Sequence, residues 1–246
     1  MSGERTTDAL LLRSVEYRES DRILTLFTQA QGKVSALARG ARASKRRFQG
    51  VLEPYAIIRV ELTFGRGELA TLKSAAITRS FSGILADLTR MQVAGAGLAL
   101  VRELSPPHVS DAELFASLVQ YLAWVDLRGD MQRAGLLAFA MRILALSGLA
   151  PQLDVCGRTG EAVPKGRAAF FDPALGAVVS RRAGGGPHLL SGRLRGLLLA
   201  AQQSDWAKLA DASWNTEDLN TARSALSAFL AAHLSDDVSR LLFDRG

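Results

Sequence analysis

Tyr55–Phe64 reads YAIIRVELTF. Ile57, Arg59 and Glu61 alternate with Ile58, Val60 and Leu62. A period of two puts the polar set and the apolar set on opposite faces of a strand. Gly65-Arg66-Gly67 then turns the chain into a second strand, Glu68–Ala76 (ELATLKSAA). Toward the N-terminus come Lys33–Arg39 (KVSALAR) after a Gln31-Gly32 turn, Arg22–Gln29 (RILTLFTQ), and Thr7–Tyr17 (TDALLLRSVEY). Five strands joined by glycine turns, with no long helix between them, predict a small closed barrel rather than a parallel sheet. The preferred form over residues 1–80 is a five-stranded OB-type barrel; an SH3-like barrel has a compatible strand count and stays open.

From Ser82 the period changes. Ile84–Leu104 carries apolar residues at helical spacing and stops at Ser105-Pro106-Pro107. Ser110-Asp111-Ala112-Glu113 opens a second helix with an N-cap and an acidic first turn, running to about Leu127. Met131–Ser147 is the third, ended by Gly148. Residues 151–190 lose the helical period and hold Pro151, Pro164, Pro173, Pro187 and the run Gly184-Gly185-Gly186. Helices return over Ser191–Gln203, Asp205–Ala210 and Thr216–Leu234. The expected class is α+β: an N-terminal barrel (1–80), then an all-α helical bundle (81–246) with a loop-rich insertion at about 151–190.

The chain has 246 residues, 48% of them hydrophobic, enough for a packed core, and no apolar run of the roughly 18 residues that span a bilayer. Its N-terminus lacks the basic, then apolar, pattern of a signal peptide, so a cytoplasmic location is expected and no membrane partner. A single cysteine, Cys156, excludes an internal disulfide.

Charge is unevenly spread. Residues 1–80 hold 14 Lys and Arg against 8 Asp and Glu, whereas the rest of the chain is balanced at 16 and 16, so the whole net charge of +6 lies in the first third. Between Asp21 and Glu53 there is no acidic side chain, while Arg22, Lys33, Arg39, Arg42, Lys45, Arg46 and Arg47 crowd that window. A localised basic footprint suits a polyphosphate, because each neutralised phosphate releases condensed counterions. Lys33, Arg39, Arg42, Lys45, Arg46 and Arg47 are the candidate nucleic-acid phosphate contacts, with Arg22, Arg13 and Arg18 as weaker ones. Few aromatics remain beyond those a barrel core needs, so binding is expected to be dominated by the backbone and to be sensitive to salt.

Nothing in the sequence assembles a catalytic centre. His108, His188 and His233 are far apart and lack a metal-ligand spacing. The glycine runs lack the Lys-Ser/Thr of a P-loop. No general acid–base pair can be named, so no enzymatic activity and no cofactor are expected. Composition alone leaves open an RNA-binding barrel module, or a protein–protein scaffold whose cations meet an acidic partner.

The run Tyr17-Arg18-Glu19-Ser20-Asp21-Arg22-Ile23-Leu24-Thr25-Leu26-Phe27-Thr28, followed by Gly32-Lys33 and Ala38-Arg39-Gly40-Ala41-Arg42, closely resembles the N-terminal signature of the bacterial RecO family of recombination mediators. The likeness continues through Leu52-Glu53-Pro54 and Gly65-Arg66-Gly67, and resumes at Leu146–Leu153 (LSGLAPQL) and Ser239–Phe243. It implies an OB fold followed by a helical bundle. It also implies binding of single- and double-stranded DNA and annealing of complementary strands. RecA loading onto strands covered by single-strand binding protein, whose C-terminal tail is a partner, and cooperation with RecR complete the implied role.

The same family often carries a four-cysteine zinc finger, and here the sequence departs. The family's first CxxC pair falls on Cys156 and Thr159, and its second on Ser180 and Ala183. One thiolate cannot complete a tetrahedral structural zinc site. A degenerate finger without zinc is the expectation, its shape kept by apolar and hydrogen-bonded contacts.

Overall fold

In the computed structural model, which describes residues 3–42, 48, 50–65, 67–128, 132–203, 207, 209 and 214–234, the alternating stretch forms as β4, Ala56–Phe64. Ile58, Val60 and Leu62 are wholly buried and Arg59 is exposed, as the period of two requires. Its partners are β1 (Gly3–Tyr17), β2 (Asp21–Thr28), β3 (Gly32–Ala38) and β5 (Leu69–Ser80). They close into a barrel in the order β1-β2-β3-β5-β4. β1 is long enough to serve both ends of the circuit. Its first half pairs with β4 and its second half with β2, and the register shifts between Leu11 and Arg13 where the strand bends from one neighbour to the other. β3 and β5 run parallel; the other neighbours are antiparallel.

The barrel core takes one face of every strand. Leu11, Leu24, Leu26, Val34, Ala36, Ile58, Val60, Leu62 and Leu72 pack together with Phe48 and Leu52. At roughly 1.5–3 kcal/mol for each large aliphatic side chain removed from water, this interior fixes the register. A slip of one residue would turn every one of these side chains outward.

The expected helix over 84–104 is two helices. α1 is a single turn, Ser82–Leu85, and α2 runs Leu88–Leu104. Asp87 separates them, with extended backbone and its Oδ1 accepting from Arg90 N at 2.8 Å, so the continuous apolar spacing conceals a cap. α3 spans Ala112–Leu127 and is capped by Asp111, whose Oδ1 accepts from Leu114 N at 2.9 Å. α4 is Gln132–Leu146, α5 is Gly192–Gln203 and α6 is Thr216–His233. The short helix expected at Asp205–Ala210 falls largely outside the described residues.

The segment expected to be loop-rich carries a sheet. β6 (Gln152–Cys156), β7 (Ala169–Asp172), β8 (Ala177–Val179) and β9 (His188–Leu190) lie in the order β6-β8-β7-β9. Strands of three to five residues are too short to show a period of two. Tight backbone contacts at its glycines finish the disguise: a Cβ on Gly186 would stand 2.6 Å from the Phe171 carbonyl oxygen.

The chain divides into two compact units, Met1–Ala94 with Val101–Leu127, and Gly95–Leu100 with Arg128–Gly246. The first unit joins the barrel with α1, α3 and parts of α2. Among the described residues no helix is long and apolar enough to cross a membrane.

Candidate nucleic-acid interface

With Leu24, Leu26, Val34, Ala36 and Ala38 committed to the core, Ile23, Thr25, Lys33, Ser35 and Leu37 face outward. Cross-strand register sets them in rows. Arg13 pairs with Thr25, Thr25 with Ser35 and Ser35 with Leu69; the next row is Val15, Ile23, Leu37 and Thr71. From Arg13 to Tyr17 every residue of β1 is exposed. The outer surface of β1–β2–β3 is therefore a strip with hydroxyl and aliphatic groups along its middle and cations at its margins.

Those cations differ in how they are held. Arg42 is exposed; its Nη1 lies 3.3 Å from Glu16 Oε2 and donates to Glu19 O at 3.3 Å. Its backbone N–H donates to Ser20 O at 3.0 Å, and Gly40 N–H donates to Asp21 Oδ1 at 2.8 Å. The exit of β3 is thus tied to the β1–β2 hairpin, and Arg42 is presented beside that hairpin's tip. Arg18 takes a positive φ of 53° and lies over the Tyr17 ring at 5.2 Å. Arg39, one residue past β3, is exposed. Arg22 is half-buried, with Nη1 4.0 Å from Glu53 Oε1. Lys45, Arg46 and Arg47 lie outside the described residues; Phe48, which follows them, is buried in the barrel core.

Lys33 stands apart from this group. Its Nζ donates to Arg102 O at 2.6 Å, and burial pushes its pKa down, opposed by Glu103. The neighbouring main chain is held as well: His108 N–H donates to Lys33 O at 3.0 Å, and Lys33 bridges Pro107. Gly32 (φ 66°) allows this, because a Cβ there would meet the Val109 carbonyl oxygen at 1.9 Å. The Gly32-Lys33 pair therefore docks the α2–α3 connection on the barrel. Sequence reasoning missed Arg102, Glu103 and His108 as neighbours of β3. The only local signal was Gly32 itself, whose need for a bare backbone is invisible without the connection some 70 residues later.

In the second unit Cys156, Thr159, Ser180 and Ala183 lie within hydrogen-bonding reach of one another. Cys156 is buried; its thiol is held down to a pKa of about 6 by the Thr159 hydroxyl first and the Ser180 N–H next, with burial opposing them. Ser180 N–H donates to Cys156 Sγ at 3.4 Å, and Ser180 Oγ accepts from Ala183 N at 3.3 Å. One thiol, two hydroxyls and a methyl group do not fit a tetrahedral zinc ion. Among the described residues no group of three or more His, Cys, Asp or Glu converges elsewhere.

A different cation organises the loop between β6 and β7. Arg195 is 1% exposed, on α5. Its Nη1 donates to Leu153 O at 2.8 Å and Val163 O at 3.2 Å, its Nε to Arg167 O at 3.0 Å, and its Nη2 to Pro164 O. One guanidinium gathers four carbonyls from across the loop. Gly192, which opens α5, lets the helix approach: a Cβ there would meet Gly166 O at 1.7 Å.

Comparison with known proteins agrees with this architecture. The family described as Recombination protein O N terminal matches residues 1–81, the barrel, and Recombination protein O C terminal matches residues 85–241. The chain belongs to the RecO family. Similar curated RecO proteins, each called DNA repair protein RecO, come from several bacteria. That of Anaeromyxobacter sp. (strain K) is 41% identical over 229 residues, covering 92% of this chain and 89% of the relative. That of Desulfatibacillum aliphaticivorans is 34% identical over 248 residues, covering 97% and 95%. The RecO of Myxococcus xanthus (strain DK1622) is 41% identical over 177 residues, covering 72% and 71%.

Proposed function

We propose that this chain is a non-enzymatic DNA-binding protein of recombinational repair. In this reading it anneals complementary strands and, with RecR, assists RecA loading onto DNA coated by single-strand binding protein, whose C-terminal tail it recognises. The observation that carries the proposal is the strip on β1–β2–β3, bordered by exposed Arg13, Arg18, Arg39 and Arg42. The strand order β1-β2-β3-β5-β4, closed through β1–β4, supports reading the barrel as OB-type, a fold that tracks single strands.

Annealing needs no catalytic group. Two phosphate chains repel each other, and arginines that neutralise one strand while leaving its bases accessible lower the cost of bringing up the second. Arg39, Arg42 and Arg22, with Lys45, Arg46 and Arg47 further along the sequence, are the phosphate contacts in this reading; Lys33 serves at the edge of the strip. The segment around Cys156, Thr159, Ser180 and Ala183 is read as a finger that keeps its form without zinc.

The test is annealing of complementary oligonucleotides, bare and coated with single-strand binding protein. Acceleration of both by this protein supports the proposal. Failure to bind single-stranded oligonucleotides at low salt would overturn it.

A further inference from the structure

Where the α2–α3 connection docks on the barrel, the outer strip ends in a cleft of about 370 Å³. Its floor is the row Arg13, Thr25 and Ser35; Lys33 and Arg102 lie to one side, Glu68 and Glu103 line it with them, and Pro107 and His108 form a wall. The volume is at the low end of the roughly 300–1,000 Å³ range of ligand pockets, so the cleft suits one nucleoside-sized group.

Its charges decide which chemistry fits. Arg102 Nε donates to Glu103 Oε1 at 2.8 Å, and the Lys33 ammonium donates to the Arg102 carbonyl. Arg13 and Glu68 are left: neither forms an ion pair or side-chain hydrogen bond within the described structure. Arg13 opens the row Arg13, Thr25, Ser35 and Leu69, three strand spacings of about 4.8 Å, and Glu68 immediately precedes Leu69 at its far end. Between them stand two hydroxyls, each able to donate and accept. A phosphate is disfavoured at the Glu68 end, where a carboxylate outside any ion pair of the described structure would face it. A flat heterocycle with an acceptor edge toward Arg13 and an amino group toward Glu68 is a good occupant, with the Pro107–His108 wall against its ring.

We propose that this cleft takes one unpaired nucleobase bearing an exocyclic amino group, from a DNA strand lying on the β1–β2–β3 strip, and discriminates against thymine. The inference rests on the DNA-binding reading above and deepens it. Glu68 accepts from the amino group, as carboxylates accept from cytosine N4. Thymine presents a carbonyl there, which leaves the carboxylate facing an acceptor and loses the bond. The wall is in place before the base arrives, because Lys33 O, the Lys33 ammonium and the Gly32–Val109 approach already hold the connection. His108 adopts φ 58°, a conformation uncommon outside glycine, at the lip of the cleft.

The experiment is competition binding of homopolymeric deoxycytidine and deoxythymidine oligonucleotides of equal length, at one salt concentration and pH 8. Wild-type protein prefers deoxycytidine about fivefold to tenfold, the discrimination one good base contact provides. Glu68→Ala brings the two within about twofold of each other. Ser35→Trp, which fills the cleft from an exposed position, does the same. Using the ratio removes the general gain in affinity from deleting a negative charge. Equal affinities in wild type, or a preference that survives Glu68→Ala, overturn the base pocket while leaving DNA binding intact. Wild-type protein that binds neither oligonucleotide overturns the DNA-binding reading and the pocket with it.

Discussion

Gly32 lies against Val109 so closely that a Cβ added to it would stand 1.9 Å from the Val109 carbonyl oxygen and 2.5 Å from its carbon. The obstacle is main chain, which cannot rotate aside. Gly32→Ala therefore pays twice: roughly 1–2 kcal/mol for a left-handed alanine, and the displacement of the docked connection. Gly50 has the same left-handed backbone (φ 68°) with nothing within 4 Å. Urea unfolding should show Gly32→Ala losing more than about 2 kcal/mol and Gly50→Ala only the ~1–2 kcal/mol conformational part. Equal losses would refute the close-approach argument.

Replacing Arg195 by Met keeps much of its volume and removes all its donors. Four carbonyls between Leu153 and Arg167 lose their shared partner, and the expected destabilisation is about 3 kcal/mol or more. Arg195→Lys keeps the charge but not the planar fork, so it recovers only part of the loss. Limited proteolysis should cut the variant within residues 157–168 well before the wild type. A loop that resists cleavage in Arg195→Met would remove the guanidinium from its organising role.

Cys156 gives a pH dependence whose sign is fixed. Its folded pKa of about 6 lies below the ordinary value of 9.0, so between those values the unfolded chain holds a proton that the folded chain does not. Stability therefore rises with pH across that window and is lost as pH falls through about 6, with a slope of at most ~1.4 kcal/mol per pH unit from one proton. Melting curves of wild type and Cys156→Ser between pH 5.5 and 9 should differ by that slope. Parallel curves would show that the thiol does not ionise.

The arginines at the strip's margin predict a salt signature. Each phosphate contact removed lowers the slope of log affinity against log salt by about 0.7 for single strands. Arg39→Ala with Arg42→Ala should reduce it by roughly 1.4 on that basis, as read from fluorescence anisotropy between 50 and 300 mM salt. An unchanged slope with unchanged affinity would clear these two residues of contact with DNA.

Strand alternation in 55–64 and 22–29 made the five-stranded region legible, because each strand buries one face and exposes the other. The sheet β6–β9 was not legible: three-residue β8 and β9 have no room for a pattern, and the glycines between and beside them, Gly176 and Gly184-Gly185-Gly186, mimic a loop. The break at Asp87 was hidden because Ile84 and Leu85 happen to continue the apolar spacing of α2. The basic window was legible as composition. What the sequence concealed was that Lys33 spends its ammonium on a carbonyl of Arg102, a contact 69 residues away in the chain.

Arg195 has one more consequence. A loop gathered around an ion from solution assembles by mass action and loosens when that ion is scarce. Here the gathering cation is covalently attached to α5, so its effective concentration is set by the chain itself. What this cation contributes to the assembly of the segment is then unimolecular and indifferent to dilution.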